Sequence, residues 1–194
     1  MFLAYLSAFG DTDEARLDAC AGSAGAAGLK LLASLPGARL MGAGRPPAVR
    51  TIGAGVVVGD LFYSAPGRVS APADLQGGRD RSTGTARTLL SRYWGGYVAI
   101  LRDPIDGGWR VLRDPSGARE AIIWCADDIW RIADTLDFAP ALAPQARIDG
   151  SGLAGWLADP VRLSGDLALA GVEAVAPGEL RSLGSGVSAR ASAP

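Results

Sequence analysis

The sequence predicts an α+β protein with a largely antiparallel sheet, and three observations carry that reading. Residues 94–104 and 109–117 are two apolar strands that each reach Arg-Asp-Pro, and the segment between them is a turn. Further short strands at close spacing continue to residue 133. A helix precedes them, its inner face formed by Ala86, Leu89, Leu90 and Tyr93 at i, i+3, i+4 and i+7. Strands that follow a helix in a run, separated by tight turns, fit an antiparallel arrangement.

Taken in order, residues 2–9 read as a strand broken at Gly10. Asp11 with Glu14 three positions on forms a helix N-cap and its reciprocal partner. Leu17, Cys20, Ala21 and Ala24 then make one apolar stripe, and Gly22, Gly25 and Gly28 weaken the helix, with fraying expected near Gly22. Residues 29–35 are strand or helix; periodicity does not decide between them. Pro36-Gly37 is a turn and residues 42–47 a loop. Residues 51–63 form the next strand, centred on Val56, Val57 and Val58, with Gly59 marking a bulge or a close backbone approach. Residues 64–84 read as a long surface excursion, ending where Ser82 or Thr83 caps the helix.

Residues 97–101 are apolar throughout, as in a strand covered on both faces. A turn at 103–108, a strand at 109–113, a turn at 114–117 and a strand at 120–125 follow. An Asp127-Asp128 turn and a strand at 129–133 complete the meander. Residues 148–157 read as a short helix with Leu153, Trp156 and Leu157 turned inward. Residues 163–178 are looser, and 182–194 form a linker-like tail of Ser, Ala, Gly and Pro.

Composition removes several function classes. A chain of 194 residues suffices for one sizeable core, and 48% hydrophobic with 20% charged residues describes a folded domain. The net charge of −1 leaves no electrostatic footprint for nucleic acid or an anionic membrane. Lys30 is the only lysine, a bias read as coding composition rather than Arg-based recognition. There is no histidine, which excludes Ser-His-Asp and Cys-His catalysis, an imidazole base and His-ligated metals. Cys20 and Cys125 are too few for a disulfide framework or zinc site and read as buried thiols. No positive charge precedes the apolar residues 2–9, and that run falls short of the ~20 apolar residues a membrane helix needs. A cytoplasmic location is expected.

Val58-Gly59-Asp60-Leu61-Phe62, Trp94 to Ala99, Leu112-Arg113-Asp114-Pro115-Ser116-Gly117 and Glu173 to Leu180 appear in an order that resembles the N-terminal domain of asparagine synthetase-like enzymes. Within that group the sequence is most similar to lasso peptide macrolactam synthetases, with β-lactam synthetases next. The resemblance implies a class II glutamine amidotransferase-like domain over 1–181, followed by a tail toward a synthetase domain that is absent from this chain. The implied fold is an N-terminal-nucleophile (Ntn) four-layer αββα sandwich with mainly antiparallel sheets.

The same resemblance implies that the glutaminase chemistry is lost. An active member attacks glutamine with a cysteine directly after the initiator methionine, and Phe2 stands there. The Asn-Gly-Glu stretch that stabilises the oxyanion corresponds to Val58, Gly59 and Asp60. Valine supplies no side-chain donor, and loss of one such donor costs about 10²–10³ in rate. The carboxylate that holds the substrate amine falls at Thr83-Gly84-Thr85, with Thr85 in its place. Catalytic residues are therefore expected to be none, with Phe2, Val58, Gly59, Asp60 and Thr85 as vestigial positions and no metal.

Asp114-Pro115-Ser116-Gly117 needs no catalytic role, since Asp caps such a turn and Pro fixes its φ. Arg113, Asp114 and Ser116 are the expected interface residues if this strand end meets a synthetase half. ATP and Mg²⁺ are implied for that half, not for this chain. Its Ser-Gly-Gly-x-Asp-Ser loop has no counterpart in the strings at Ser151, Ser164 or Gly184, and no Walker-type loop is present. The implied partners are the synthetase domain or chain, the precursor peptide and the maturation protease. Two other readings compete: a stand-alone peptide-binding module of the same fold, and an N-terminal-nucleophile hydrolase that exposes Thr12 or Thr85 by self-cleavage.

Overall fold

The computed structural model describes residues 1–8, 13–53, 55–63, 75, 82–159 and 167–184. In chain order these form β1 (Phe2–Ser7), α1 (Glu14–Ala26), β2 (Lys30–Leu35), β3 (Ala38–Gly42), β4 (Val49–Ile52), β5 (Gly55–Gly59) and β6 (Phe62–Tyr63). Next come α2 (Ser82–Arg92), β7 (Tyr93–Trp94), β8 (Tyr97–Arg102), β9 (Trp109–Arg113), β10 (Ile122–Ala126) and β11 (Ile129–Ala133). The last are β12 (Arg147–Ile148), α3 (Gly150–Ala158), β13 (Leu169–Ala170), β14 (Glu173–Ala174) and β15 (Leu180–Leu183).

Two antiparallel sheets organise these elements. The first has the order β14-β10-β11-β1-β3-β2 and the second β15-β9-β8-β5-β4; β6 with β7 and β12 with β13 form small ribbons. β1 is buried at all six positions because both of its faces are covered. Strand alternation sends Phe2, Ala4 and Leu6 into the space between the sheets, where they meet Val56, Val58, Val98 and Ile100. Leu3 and Tyr5 face the other way and pack with Leu17 and Ala24 of α1. On the far side of the second sheet, Val57, Tyr97 and Ala99 pack against Ala86 and Leu89 of α2. The layers are therefore helix, sheet, sheet, helix, in an α+β fold with antiparallel strands throughout the two sheets.

Several sequence expectations change in the structure. α1 does not fray at Gly22 but continues to Ala26, held by fully buried Leu17 and Ala24. Glu14 makes no reciprocal cap: its carboxylate accepts from the Gly37 N–H at 2.7 Å and pairs with Arg39. Asp11 lies outside the described residues, as do Gly10, Thr12 and most of the 64–81 segment. Leu75 of that segment is described, and it is buried beside α2. The undecided stretch 29–35 is a strand, β2, with its bulge between Leu31 and Ala33.

The single strand expected over 51–63 divides into the end of β4, then β5 and β6. The expected turn-rich meander divides too, β8 and β9 entering one sheet and β10 and β11 the other. Asp127 and Asp128 both adopt positive φ, the geometry of a type I′ hairpin turn. Leu90 and Leu157, expected inward, are 38% and 66% exposed; the Trp156 side chain lies outside the described set. β15 carries the ordered ladder to Leu183, two residues past the expected boundary at 181, pairing Leu183 with Trp109. Residues 185–194 lie outside the described residues.

Candidate functional site

Phe2 begins β1 beside the end of β11, because Leu3 pairs with Ala133. The residue after that pair, Asp134, receives the Phe2 N–H on Oδ1 at 2.8 Å. Its Oδ2 accepts from Arg119 Nη1 at 2.7 Å and stands 3.9 Å from the Met1 ammonium. Arg119 Nε in turn donates to the Gly96 carbonyl at 3.4 Å. Asp134 directly follows β11 of the first sheet and Gly96 leads into β8 of the second, so Arg119 spans the mouth of the gap between them.

Gly59 completes the wall opposite. Its φ of +118° is reserved for glycine, and a Cβ there would collide with the Gly96 carbonyl and stand 2.9 Å from Arg119 Nε. This is the close backbone approach expected at Gly59. The Asp60 N–H donates to the same Gly96 carbonyl at 3.1 Å. Arg50 Nη1 donates to the Gly59 carbonyl at 3.0 Å, closing that oxygen off as well.

The structure thus brings together three of the five vestigial positions, Phe2, Gly59 and Asp60, around Gly96 and Arg119. The Phe2 ring is fully buried in the inter-sheet core and offers no nucleophile. Val58 is buried in that same core. Thr85 lies in α2, on the outer face of the second sheet and so across that sheet from Phe2. Asp60 is exposed. Arg119 and Asp134 carry no sequence signature and meet through the β10–β11 hairpin, whereas Gly96 belongs to the glycine pair before β8 and is placed by the pairing of β5 with β8.

The corner at 113–117 adjoins the mouth through Gly95 and Gly96. Asp114 is fully buried, accepting from the Tyr97 N–H at 3.3 Å and the Ser116 N–H at 2.8 Å, and from the Ser116 hydroxyl. Arg113 donates to the carbonyls of Arg119, Val175 and Gly117 and to Glu120, all at 2.8–3.0 Å. Two of the three expected interface residues therefore direct their polar atoms into the fold. Ser116 is exposed, its hydroxyl also reaching the Gly95 carbonyl at 3.3 Å.

Beyond this corner, Phe62 and Trp94 stack at 4.7 Å on the β6–β7 ribbon and are about half exposed. On the outer face of the first sheet a groove of about 380 Å³ runs along the end of β10. Trp124, Cys125, Ala126, Asp127 and Arg131 form one wall, residues 141–146 the second, and Ala170, Gly171 and Val172 the third. Burial, then the Asp128 carboxylate, push the Cys125 thiol up from its ordinary value.

The string at Ser151 lies in the first turn of α3, where the Asp149 carboxylate already accepts from the Ser151 N–H at 3.1 Å. A carboxylate at that helix end occupies the place a phosphate would take. The string at Ser164 lies outside the described residues, and Gly184 only follows the end of β15. Among the described residues no group of three or more His, Cys, Asp or Glu could hold a metal ion, and no helix is long and apolar enough to cross a membrane.

Fold and mouth together define a layered α+β domain whose inter-sheet opening is closed by an ion pair. No family model matches the chain, and no match is found among curated proteins.

Proposed function

We propose that this chain is the catalytically silent, glutaminase-like domain of an ATP-dependent amide ligase, of the kind that closes a macrolactam on a precursor peptide. The observation that supports this most is the fate of Phe2. The resemblance puts a nucleophilic cysteine there, whereas the ring is packed between the sheets and its N–H is held by Asp134. The Arg119–Asp134 ion pair lies beside this N–H, at the edge of the gap between the sheets. Macrolactam closure uses the peptide's own N-terminal amine, so such an enzyme has no need of ammonia. The Ntn-type identity of the layers, the synthetase half and the precursor peptide belong to this same reading. In it the chain contributes a scaffold, a wall beside the peptide and an interface near Ser116.

Two measurements test it. The purified chain incubated with glutamine is expected to release no ammonia above the buffer blank; clear turnover overturns the silent-domain reading. DNA sequence following the Pro194 codon, in the same or the adjoining reading frame, is expected to encode a Ser-Gly-Gly-x-Asp-Ser pyrophosphate loop. Its absence from both overturns the ligase reading.

A further inference from the structure

β10 is an incompletely paired strand, and the groove lies against its open part. On one side β10 pairs with β11 along its whole length, from Ile122↔Ala133 to Ala126↔Ile129. On the other side β14 supplies only two partners, Ala174 for Ile122 and Glu173 for Ile123. The Val175 N–H donates to the Ala121 carbonyl at 2.8 Å, which fixes the side to which the odd-numbered residues of β10 present their backbone groups. A strand alternates these groups strictly, so the N–H and C=O of Cys125 point the same way as those of Ala121 and Ile123. Among the described residues no strand residue stands opposite Cys125 there, and the chain turns at Gly171, with φ of +78°.

What fills that position in the molecule is the groove. It measures about 380 Å³, within the range of sites that take a small ligand or a few residues of chain. Its walls carry one positive and one negative side chain, Arg131 and Asp127. Nη1 of Arg131 donates to the Ala126 and Ile129 carbonyls, and its guanidinium lies 5.8 Å from the Tyr5 ring. An acidic side chain on an incoming segment is therefore matched by this cation at the groove wall.

We infer that the β10 edge at Cys125 is a docking site for an extended peptide segment, which adds a strand in line with β14 and places an acidic side chain beside Arg131. The segment supplies a C=O to the Cys125 N–H and an N–H to its C=O, the pattern of strand addition at a sheet edge. Residues 141–146 form the opposite wall and restrict the site to a short stretch of extended chain. This inference does not rest on the amide-ligase reading, and failure of either leaves the other standing.

The test uses the whole chain and a defined probe set: acetylated, amidated pentapeptides Thr-X-Glu-X-Thr, with X varied over the natural residues. Backbone amide exchange followed by NMR is the readout. At least one peptide is expected to bind with Kd below about 1 mM and to slow exchange of the Cys125 amide by about tenfold or more. N-methylation of the amide next to Glu in that peptide, or the groove-filling variant Ala143→Trp, is expected to abolish both effects. Replacing Glu by Lys in the peptide is expected to weaken binding about tenfold, and Arg131→Glu to reverse that preference. No binding across the set up to about 1 mM, or binding that leaves the Cys125 amide unchanged, overturns the proposal. Fluorescence of the tryptophans and a thermal melt of each variant confirm that a loss of binding is not a loss of fold.

Discussion

The tripeptide Arg-Asp-Pro ends both β8 and β9, yet its two copies hold different parts of the molecule together. At the first, Asp103 is buried and accepts from the Ile105 N–H at 3.0 Å, the Ser82 hydroxyl at 2.8 Å and the Arg110 guanidinium. It thereby binds the hairpin between β8 and β9 to the first turn of α2. At the second, among the described residues, the Asp114 carboxylate accepts from the neutral donors Tyr97 and Ser116. There the arginine does the longer-range work, since Arg113 joins β9 to the connection that enters the first sheet and to Val175 beyond β14. The first arginine, Arg102, instead lies over the Trp109 ring at 5.7 Å and reaches the Pro36 carbonyl. One local sequence therefore gives a helix anchor in one place and a clamp between sheets in the other, and the neighbours decide which.

Four substitutions separate the two corners. Arg113→Ala has the largest expected effect, about 4 kcal/mol in urea unfolding, because it strands the Val175 carbonyl and several further acceptors. Asp114→Ala follows at about 3 kcal/mol, leaving the buried Tyr97 N–H without its side-chain acceptor. A smaller loss from Arg113→Ala than from Asp103→Asn would reverse the contrast drawn above.

Asp103→Asn is expected to cost about 2 kcal/mol, since it keeps an acceptor but loses the charge opposite Arg110. This corner also sets a pH dependence. Burial acts to raise the Asp103 pKa, but the Ile105 N–H, Ser82 and Arg110 outweigh it and hold the carboxyl well below its ordinary range. A depressed folded value means stabilisation present above the unfolded value, about pH 3.9, and lost as pH falls through the lower folded value. The stability difference between the native chain and Asp103→Asn should therefore be constant above about pH 4 and shrink progressively as pH falls below it. Parallel curves across that window would show that the ion pair contributes nothing. Asp106→Ala removes an exposed partner of Arg110 and the acceptor of the Gly108 N–H, and should cost about 1 kcal/mol or less in the same measurement.

The sequence patterns that survived folding were those with local causes. The α2 stripe, the strand pairs around the Arg-Asp-Pro corners and the Asp127-Asp128 turn depend on neighbours a few residues away, and each appears in place. Leu90 shows the limit of such patterns: the apolar stripe Ala86, Leu89, Tyr93 fills the face toward the sheet, and Leu90 is left at its margin. The glycines of α1 suggested weakness, but burial of Leu17 and Ala24 outweighs their propensity cost. Which strand joins which sheet was not legible at all. Nor was the closed mouth at Phe2: the β10–β11 hairpin brings Arg119 beside Asp134, but only the long-range pairing of β1 with β11 sets that ion pair against Phe2. The missing cysteine could be read at one position; what replaced its environment could not.

The place of β1 has a further consequence for biosynthesis. Its six residues are the first element to be made, but one of its two neighbours in the sheet, β11, ends at Ala133. The strand can meet β3 early, yet its second edge stays open until β11, more than 120 residues further on, has left the ribosome. An apolar strand edge exposed for that long is a template for pairing with other chains. Yield of the native domain should therefore depend on translation speed and on chaperones that cover nascent strands.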